Sequence, residues 1–143
     1  MTPPAIETHG LTKDYGSGHG VFDLDLEIRP GEIFGFLGPN GSGKTTSMRM
    51  LVGLSRPSAG DARVLGLDIV GQSLELRRRV GFLAGDFGMY PKLTGRAMLD
   101  YIARLHGGVE AGAITALAER FDAQLDRPVE DLSTGNRQKI GLI

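Results

Sequence analysis

Apolar and acidic residues alternate over residues 21–28, and this period of two predicts an antiparallel strand with one face in solvent. The apolar positions are Phe22, Leu24, Leu26 and Ile28, and the acidic positions are Asp23, Asp25 and Glu27. The apolar positions in residues 6–11 predict a partner strand, with a turn over residues 15–20. The sequence therefore predicts an amino-terminal β-hairpin.

Shorter patterns follow this hairpin. Residues 32–37 form an apolar run bounded by glycines, which is typical of a buried strand, and residues 44–54 carry apolar side chains at helical spacing. Strands are predicted over residues 61–67 and 80–84, with a short helix at 74–79 between them. These elements predict a mixed α/β region.

Two apolar stripes at helical spacing predict a helical layer separate from the sheet. Thr94 is a candidate cap for the first helix, and the Gly107-Gly108 pair separates the two helices. The stripes are Met98, Ile102 and Leu105, then Ile114, Leu117, Ala118 and Phe121.

Composition narrows the class of protein. The 143 residues include 16 basic and 17 acidic side chains, with a net charge of −1, so no overall field favours nucleic acid as a partner. The absence of cysteine excludes disulfides and thiolate metal sites. The sequence contains no stretch of about 18 consecutive apolar residues, so it predicts no membrane span.

The strongest chemical signal lies at residues 38–46, which match the phosphate-binding pattern G-x-x-x-x-G-K-[ST] between a predicted strand and a predicted helix. Glycines let backbone N–H groups approach phosphate oxygens closely, and a helix amino terminus favours anions. Lys44 is expected to reach the β- and γ-phosphates, and the Thr45 hydroxyl to ligate Mg²⁺. The predicted binding residues are Gly38, Pro39, Asn40, Gly41, Ser42, Gly43, Lys44, Thr45 and Thr46.

A second candidate anion site lies at residues 132–138, Leu-Ser-Thr-Gly-Asn-Arg-Gln. Ser133 is a good helix cap and Gly135 leaves backbone amides uncovered. Taken alone, this stretch is better explained as an ordinary helix start.

Together, the two motifs resemble those of the ATP-binding subunits of ABC transporters, and nearly the whole chain takes part in the resemblance. Residues 132–138 are similar to that family's signature, Leu-Ser-Gly-Gly-Gln, followed by Arg-Gln-Lys as in bacterial drug, sodium or copper exporters. The resemblance implies an α/β fold, a P-loop NTPase sheet with a small antiparallel β-subdomain and a helical subdomain. It implies one domain over residues 1–143, with the β-subdomain and phosphate loop at about 1–90, the helical subdomain at about 91–132 and the signature at 132–138.

The resemblance also implies ligands and partners. ATP and Mg²⁺ would bind the phosphate loop, and Tyr15 would stack on adenine. Two such domains close head to tail, so Ser133, Thr134, Gly135 and Asn136 would contact ATP held by a second chain, making a homodimer. A separate transmembrane permease would be the other partner, which would place the chain in the cytoplasm at the inner face of the cell membrane.

Three departures from the family pattern are visible. Thr134 and Asn136 replace a glycine and the glutamine of the usual signature. Gly85 stands where a glutamine normally contributes to Mg²⁺ and water, and the adjacent Asp86 is a weaker candidate metal ligand. The third departure is that the sequence ends before the strand ending in Asp-Glu and the histidine that serve hydrolysis in the family.

The expected activity follows from that third departure. The family is an ABC-type ATPase, yet the expected catalytic base and switch histidine lie outside these 143 residues, so we expect the chain alone to bind ATP and hydrolyse it poorly. The alternatives are a soluble ABC-type ATPase of translation or DNA repair and a catalytically inactive nucleotide-binding fragment. The permease, and not this chain, would select any transported substrate.

Overall fold

The structure is a computed structural model that describes residues 3–85 and 88–143. It contains two compact units, Met1–Phe82 and Leu83–Ile143. The first unit carries the phosphate loop and the second carries the signature-like stretch.

The first unit is built on a four-stranded antiparallel sheet with the strand order β2-β1-β3-β4. The predicted amino-terminal hairpin is confirmed, with Ile6 paired to Ile28 at its open end. The elements of this unit are β1 (Ile6–Asp14), β2 (Gly20–Ile28), α1 (Lys44–Leu51), β3 (Ala59–Val64), β4 (Leu67–Asp68) and α2 (Ser73–Arg79).

The core of the first unit is made where helix α1 covers the inner face of the sheet. Ser47 and Met50 are the buried residues of α1, and Met50 packs in one cluster with the sheet residues Leu11 and Ala62. Leu76 of α2 belongs to the same buried cluster. This cluster anchors α1, and with it the carboxyl end of the phosphate loop, to the sheet.

The alternation predicted for β2 shifts by one residue near its start. Val21 is buried whereas Phe22 is exposed, the reverse of the expected pattern. The pairing with β1 is irregular between Leu11 and Lys13, and Asp23 has a positive φ of 49°. Because side chains alternate with a period of two, an irregularity of this kind moves the following residues to the other face.

The strand predicted over residues 61–67 is wrong in its length, because a hairpin interrupts it. Val64 pairs with Leu67 across a two-residue turn formed by Leu65 and Gly66, whose φ angles are 52° and 76°. Positive φ at both central residues matches the twist of two antiparallel strands. The sequence does not predict this turn because such turns favour asparagine, aspartate or glycine at the first position, which is leucine here.

Two predicted strands are absent from the described residues. Residues 32–37 and 80–84 form no helix and pair with no described strand. Ile33 is fully exposed and Leu37 almost so. An apolar run becomes a strand only where a neighbouring strand satisfies its backbone N–H and C=O groups, and no described strand does so here.

The second unit is helical, as predicted. Its elements are α3 (Gly95–Leu105), α4 (Ala113–Phe121), a 3₁₀ turn (Val129–Asp131) and α5 (Thr134–Leu142). Thr94 caps α3 as expected, its side chain accepting a hydrogen bond from the Ala97 N–H at 3.2 Å. The buried cluster of this unit is Ala118, Leu125, Val129, Leu132 and Ile140.

Candidate phosphate-binding site

The predicted phosphate loop joins an exposed segment to the amino terminus of α1. Gly41 and Gly43 have φ angles of 85° and 87°, a region that side chains disfavour. A Cβ on Gly38 would lie 2.7 Å from the Ser42 Oγ. Glycine at these positions therefore allows a compact loop whose backbone can approach a ligand.

Gly43 is the residue at which the loop becomes helix α1. It caps the helix in the left-handed conformation. Its carbonyl accepts hydrogen bonds from the Ser47 N–H at 2.8 Å and the Ser47 Oγ at 3.1 Å. The first turn of α1 contains no acidic residue, so the positive end of the helix dipole is not offset there.

The Lys44 ammonium lies over its own loop. It donates hydrogen bonds to the carbonyl oxygens of Gly38 and Pro39, each at 2.6 Å, and lies 3.4 Å from the Ser42 Oγ. The loop thus holds the cation next to the N–H groups that would bind phosphate. A phosphate oxygen would replace the carbonyls as the partner of Lys44.

One cavity of about 340 Å³ brings Tyr15 and the phosphate loop together. That volume lies at the small end of the range for ligand pockets. Tyr15 is 60% exposed, so its ring is available to a ligand. The lining residues are Tyr15, His19, Gly20, Asn40, Gly41, Gly43, Lys44, Thr45 and Thr46.

Three predicted loop residues do not line this cavity. Gly38, Pro39 and Ser42 serve instead as the partners that hold Lys44. Conversely, the cavity includes His19, which no sequence pattern indicates because it stands alone without a partner at ligand spacing. The hairpin places it there, since its carbonyl accepts a hydrogen bond from the Tyr15 N–H at 2.9 Å.

The cavity also offers an oxygen ligand suited to Mg²⁺. Thr45 is exposed at the first turn of α1, and magnesium in nucleotide sites takes one or two protein oxygens together with phosphates and water. Within residues 3–85 and 88–143, no three His, Cys, Asp or Glu side chains gather as a metal site. Asp86, the weaker candidate ligand, lies outside the described residues.

In the second unit, the signature-like stretch forms the amino terminus of α5. Ser133 caps this helix, its Oγ accepting a hydrogen bond from the Asn136 N–H at 3.2 Å. Thr134 and Gly135 are exposed. Apart from its two neighbours and the backbone of its own helix, no described residue has an atom within 4 Å of the position that a Gly135 Cβ would occupy. These three residues leave the start of the helix open to a ligand.

Asn136 differs from its three neighbours because its side chain is buried, with 8% exposure. Its Oδ1 accepts a hydrogen bond from the Gln124 N–H at 2.7 Å, and its Nδ2 donates one to the Gln124 carbonyl at 2.8 Å. Both ends of the amide are therefore used within the unit. The arrangement ties α5 to the segment that follows α4.

A phosphate loop at the start of a helix, next to an exposed aromatic residue, is the arrangement of a P-loop nucleotide-binding protein. Comparison with known proteins identifies the family of P-loop proteins to which the chain belongs. The sequence profile described as "ABC transporter" matches residues 21–143. The chain therefore belongs to the ABC transporter family.

Two characterised relatives align with almost the whole chain. The bacitracin transport ATP-binding protein BcrA of Bacillus licheniformis is 37% identical over 139 residues, covering 96% of this chain and 45% of BcrA. The daunorubicin/doxorubicin resistance ATP-binding protein DrrA of Streptomyces peucetius is 38% identical over 143 residues, covering 96% and 43%. The chain thus spans less than half the length of these relatives.

Solved structures share the fold. The dimeric ATP-binding cassette MJ0796, in a post-hydrolysis state with ADP and Pi, superimposes with a TM-score of 0.80 at 21% sequence identity. The match covers 96% of this chain and 67% of that protein. The predicted α/β class of a P-loop NTPase is confirmed. In the described residues, no helix is long and apolar enough to cross a membrane.

Proposed function

We propose that this chain binds MgATP and forms the energy-coupling part of an ABC transporter. The observation that carries the proposal is the single cavity lined by Tyr15, Lys44 and Thr45. An aromatic ring, a cation and a hydroxyl oxygen correspond to the three parts of MgATP, namely base, phosphates and metal. Family membership supports ATP as the nucleotide.

Each group has a distinct task in this proposal. The N–H groups at the start of α1 bind phosphate oxygens, and Lys44 neutralises charge on the outer phosphates. Tyr15 stacks on the adenine ring. Thr45 ligates Mg²⁺, which bridges phosphate oxygens and neutralises their charge when bound.

The exposed start of α5 would serve a second copy of the chain. Ser133, Thr134 and Gly135 are oriented by the cap of that helix and would contact the γ-phosphate of ATP held by the other chain. Asn136 would act through the helix, because its amide is engaged with Gln124. The dimeric state of the MJ0796 structure supports a second ATPase chain.

The remaining partner would be a membrane-embedded permease. The names of BcrA and DrrA refer to bacitracin transport and to daunorubicin/doxorubicin resistance, which supports an export system. The chain would then work in the cytoplasm at the inner membrane face, and the permease would select the cargo. ATP hydrolysis would drive transport, as in the family.

Nucleotide titration tests the central claim. We expect the 143-residue chain to bind ATP more tightly with Mg²⁺ than without. Lys44→Ala removes charge-assisted hydrogen bonds worth about 1.5–3 kcal/mol, or about 10- to 150-fold in affinity. Lys92→Ala makes the same change in net charge at an exposed lysine of the second unit and is the matched control.

One result would count against this proposal, and another against the expectation of low activity. Equal ATP affinity in wild type, Lys44→Ala and Lys92→Ala, with all three folded by circular dichroism, would remove the phosphate loop from binding. Sustained phosphate release by the pure 143-residue chain, lost in Lys44→Ala, would overturn our expectation that this chain alone turns over little ATP.

A further inference from the structure

Lys13 stands beside the proposed adenine platform without lining the nucleotide cavity. It belongs to β1, just before the hairpin turn that carries Tyr15. Its ammonium lies over the Tyr15 ring, 5.5 Å from the ring centroid. The same ammonium donates a hydrogen bond to the Arg56 carbonyl at 2.8 Å. One cation thus connects the aromatic ring to the segment that follows α1.

The backbone of this hairpin is already fixed by other contacts. The Tyr15 N–H bonds to the His19 carbonyl at 2.9 Å, and the Asp14 N–H bonds to the Ser58 Oγ at 3.1 Å. These bonds place the Tyr15 Cα. They leave the ring of a largely exposed side chain free to rotate, so side-chain contacts must set its orientation.

A cation within about 6 Å of a ring centroid is attracted to the face of the ring. At exposed sites this attraction favours the ring orientation that faces the cation over other orientations by about two- to fivefold. Lys13 meets this distance criterion. Its anchor on the Arg56 carbonyl fixes where the ammonium sits. An aromatic ring has two faces, so a ring held by a cation on one face presents the other to a ligand.

We propose that Lys13 is a positioning residue for base recognition: it orients the Tyr15 ring, and so strengthens binding of the adenine and not of the phosphates. The inference rests on the proposed function, because it requires Tyr15 to stack on adenine. Lys13 reaches the nucleotide only through Tyr15. Its effect must therefore vanish when the ring, or the base, is absent.

A double-mutant cycle on the full 143-residue chain separates orientation of the Tyr15 ring from an effect of the Lys13 charge on the phosphates. Lys13→Met keeps an unbranched side chain and removes the cation. We expect it to weaken MgATP binding about two- to fivefold in wild type and to have no effect in a Tyr15→Ala background. Affinity for magnesium tripolyphosphate, which has no base, should be unchanged.

Two controls keep the result interpretable. Lys13→Arg keeps a cation that can both donate hydrogen bonds and stack on an aromatic ring, so it should restore MgATP affinity. Arg63→Met makes the same change in net charge on β3, where the guanidinium bonds to the Gly66 carbonyl. It should leave affinity for both ligands unchanged.

Several outcomes would overturn the inference. MgATP affinity of Lys13→Met equal to wild type would show that the cation does not orient the ring. An equal loss for tripolyphosphate, or a loss that persists in the Tyr15→Ala background, would show that Lys13 acts on phosphate charge. A wild-type chain that binds no ATP would instead refute the proposed function itself, and this inference with it.

Discussion

Gly43 has no room for a side chain because Val21 lies directly against it: an ideal Cβ on Gly43 would overlap with the Val21 Cγ2. Val21 is buried in the core beneath the sheet, so it has little freedom to move away. Gly43 also has a φ of 87°. Strand β2 therefore determines where the phosphate loop can enter α1.

Gly43→Ala is expected to damage the loop more than the same change at Gly41. Both residues have positive φ, and a non-glycine residue there costs about 1–3 kcal/mol. At Gly43 the methyl group also meets Val21, whereas no described residue other than its two neighbours lies within 4 Å of a Cβ on Gly41. We expect Gly43→Ala to lower the unfolding free energy further than Gly41→Ala, by more than 1 kcal/mol, as measured by urea denaturation.

The MgATP affinities of Gly41→Ala and Gly43→Ala also separate the effect of backbone strain from the effect of steric overlap. Gly43→Ala should abolish measurable MgATP binding because the loop backbone has to shift. Gly41→Ala should retain a weakened affinity. Equal stability of the two alanine variants would mean that Val21 does not constrain the loop.

Local patterns in the sequence predicted much of this fold because they report the burial of individual elements. The caps at Thr94 and Ser133 and the helices α3 and α4 depend on neighbours within a few residues, although Ile102 and Leu105 of the predicted α3 stripe are exposed. The strand predicted over residues 32–37 depended on a distant partner for its backbone. The shift near Asp23 and the turn at Leu65 arise from backbone conformations that these residue types rarely adopt.

Tyr15→Ala is expected to weaken MgATP binding selectively. Stacking of a base on an aromatic side chain is worth about 1–3 kcal/mol, or about five- to 150-fold. Because the ring is largely exposed, the unfolding free energy should change by less than about 0.5 kcal/mol. Calorimetric titration with MgATP and with magnesium tripolyphosphate should show a loss for the first ligand only.

Tyr15→Phe is the matched control for this prediction, because it keeps the ring and removes only the hydroxyl. We expect its MgATP affinity to stay within about twofold of wild type. A loss as large as that of Tyr15→Ala would assign the effect to the hydroxyl group. Equal losses for ATP and tripolyphosphate would point to a disturbed phosphate loop.

Asn136→Ala is expected to destabilise the second unit by about 2–3 kcal/mol. The change deletes two hydrogen bonds to the Gln124 backbone, at 2.7 and 2.8 Å, and a lost bond of this kind costs about 1 kcal/mol, or more where a partner is left unsatisfied. Gln138→Ala removes an exposed amide from the same helix and should cost less than about 0.5 kcal/mol. Urea denaturation of the two variants makes the comparison.

Asn136→Asp tests whether the hydrogen bonds or the packing matter. The variant keeps the size and one acceptor, but turns the donor that faces the Gln124 carbonyl into a second acceptor. It should therefore be destabilised although no volume is lost. Wild-type stability in both Asn136→Ala and Asn136→Asp would contradict a structural role for this amide.

In the signature-like stretch, the cap at Ser133 could be predicted from the sequence, whereas the hydrogen bonds of Asn136 could not. Ser133 was identified as a cap from its own neighbourhood, and the cap is present. Asn136 was grouped with Ser133 as a candidate contact to a second chain's ATP because the two are close in sequence. Its amide instead bonds to Gln124, which lies twelve residues earlier, and that pairing depends on how α4 and α5 pack.

The two helix caps of the second unit allow the role of Ser133 in dimerisation to be tested. Ser133 and Thr94 each accept a hydrogen bond from a backbone N–H three residues ahead, both at 3.2 Å. Replacing either by alanine should cost about 1 kcal/mol of unfolding free energy. Of these two capping residues, only Ser133 is proposed to contact ATP on a second chain. We therefore expect Ser133→Ala to raise the chain concentration needed for MgATP-dependent dimerisation about tenfold, the equivalent of one hydrogen bond to a charged group.

Thr94→Ala should leave that concentration unchanged in sedimentation velocity experiments. A matching shift in both variants would reduce the role of Ser133 to that of an ordinary helix cap.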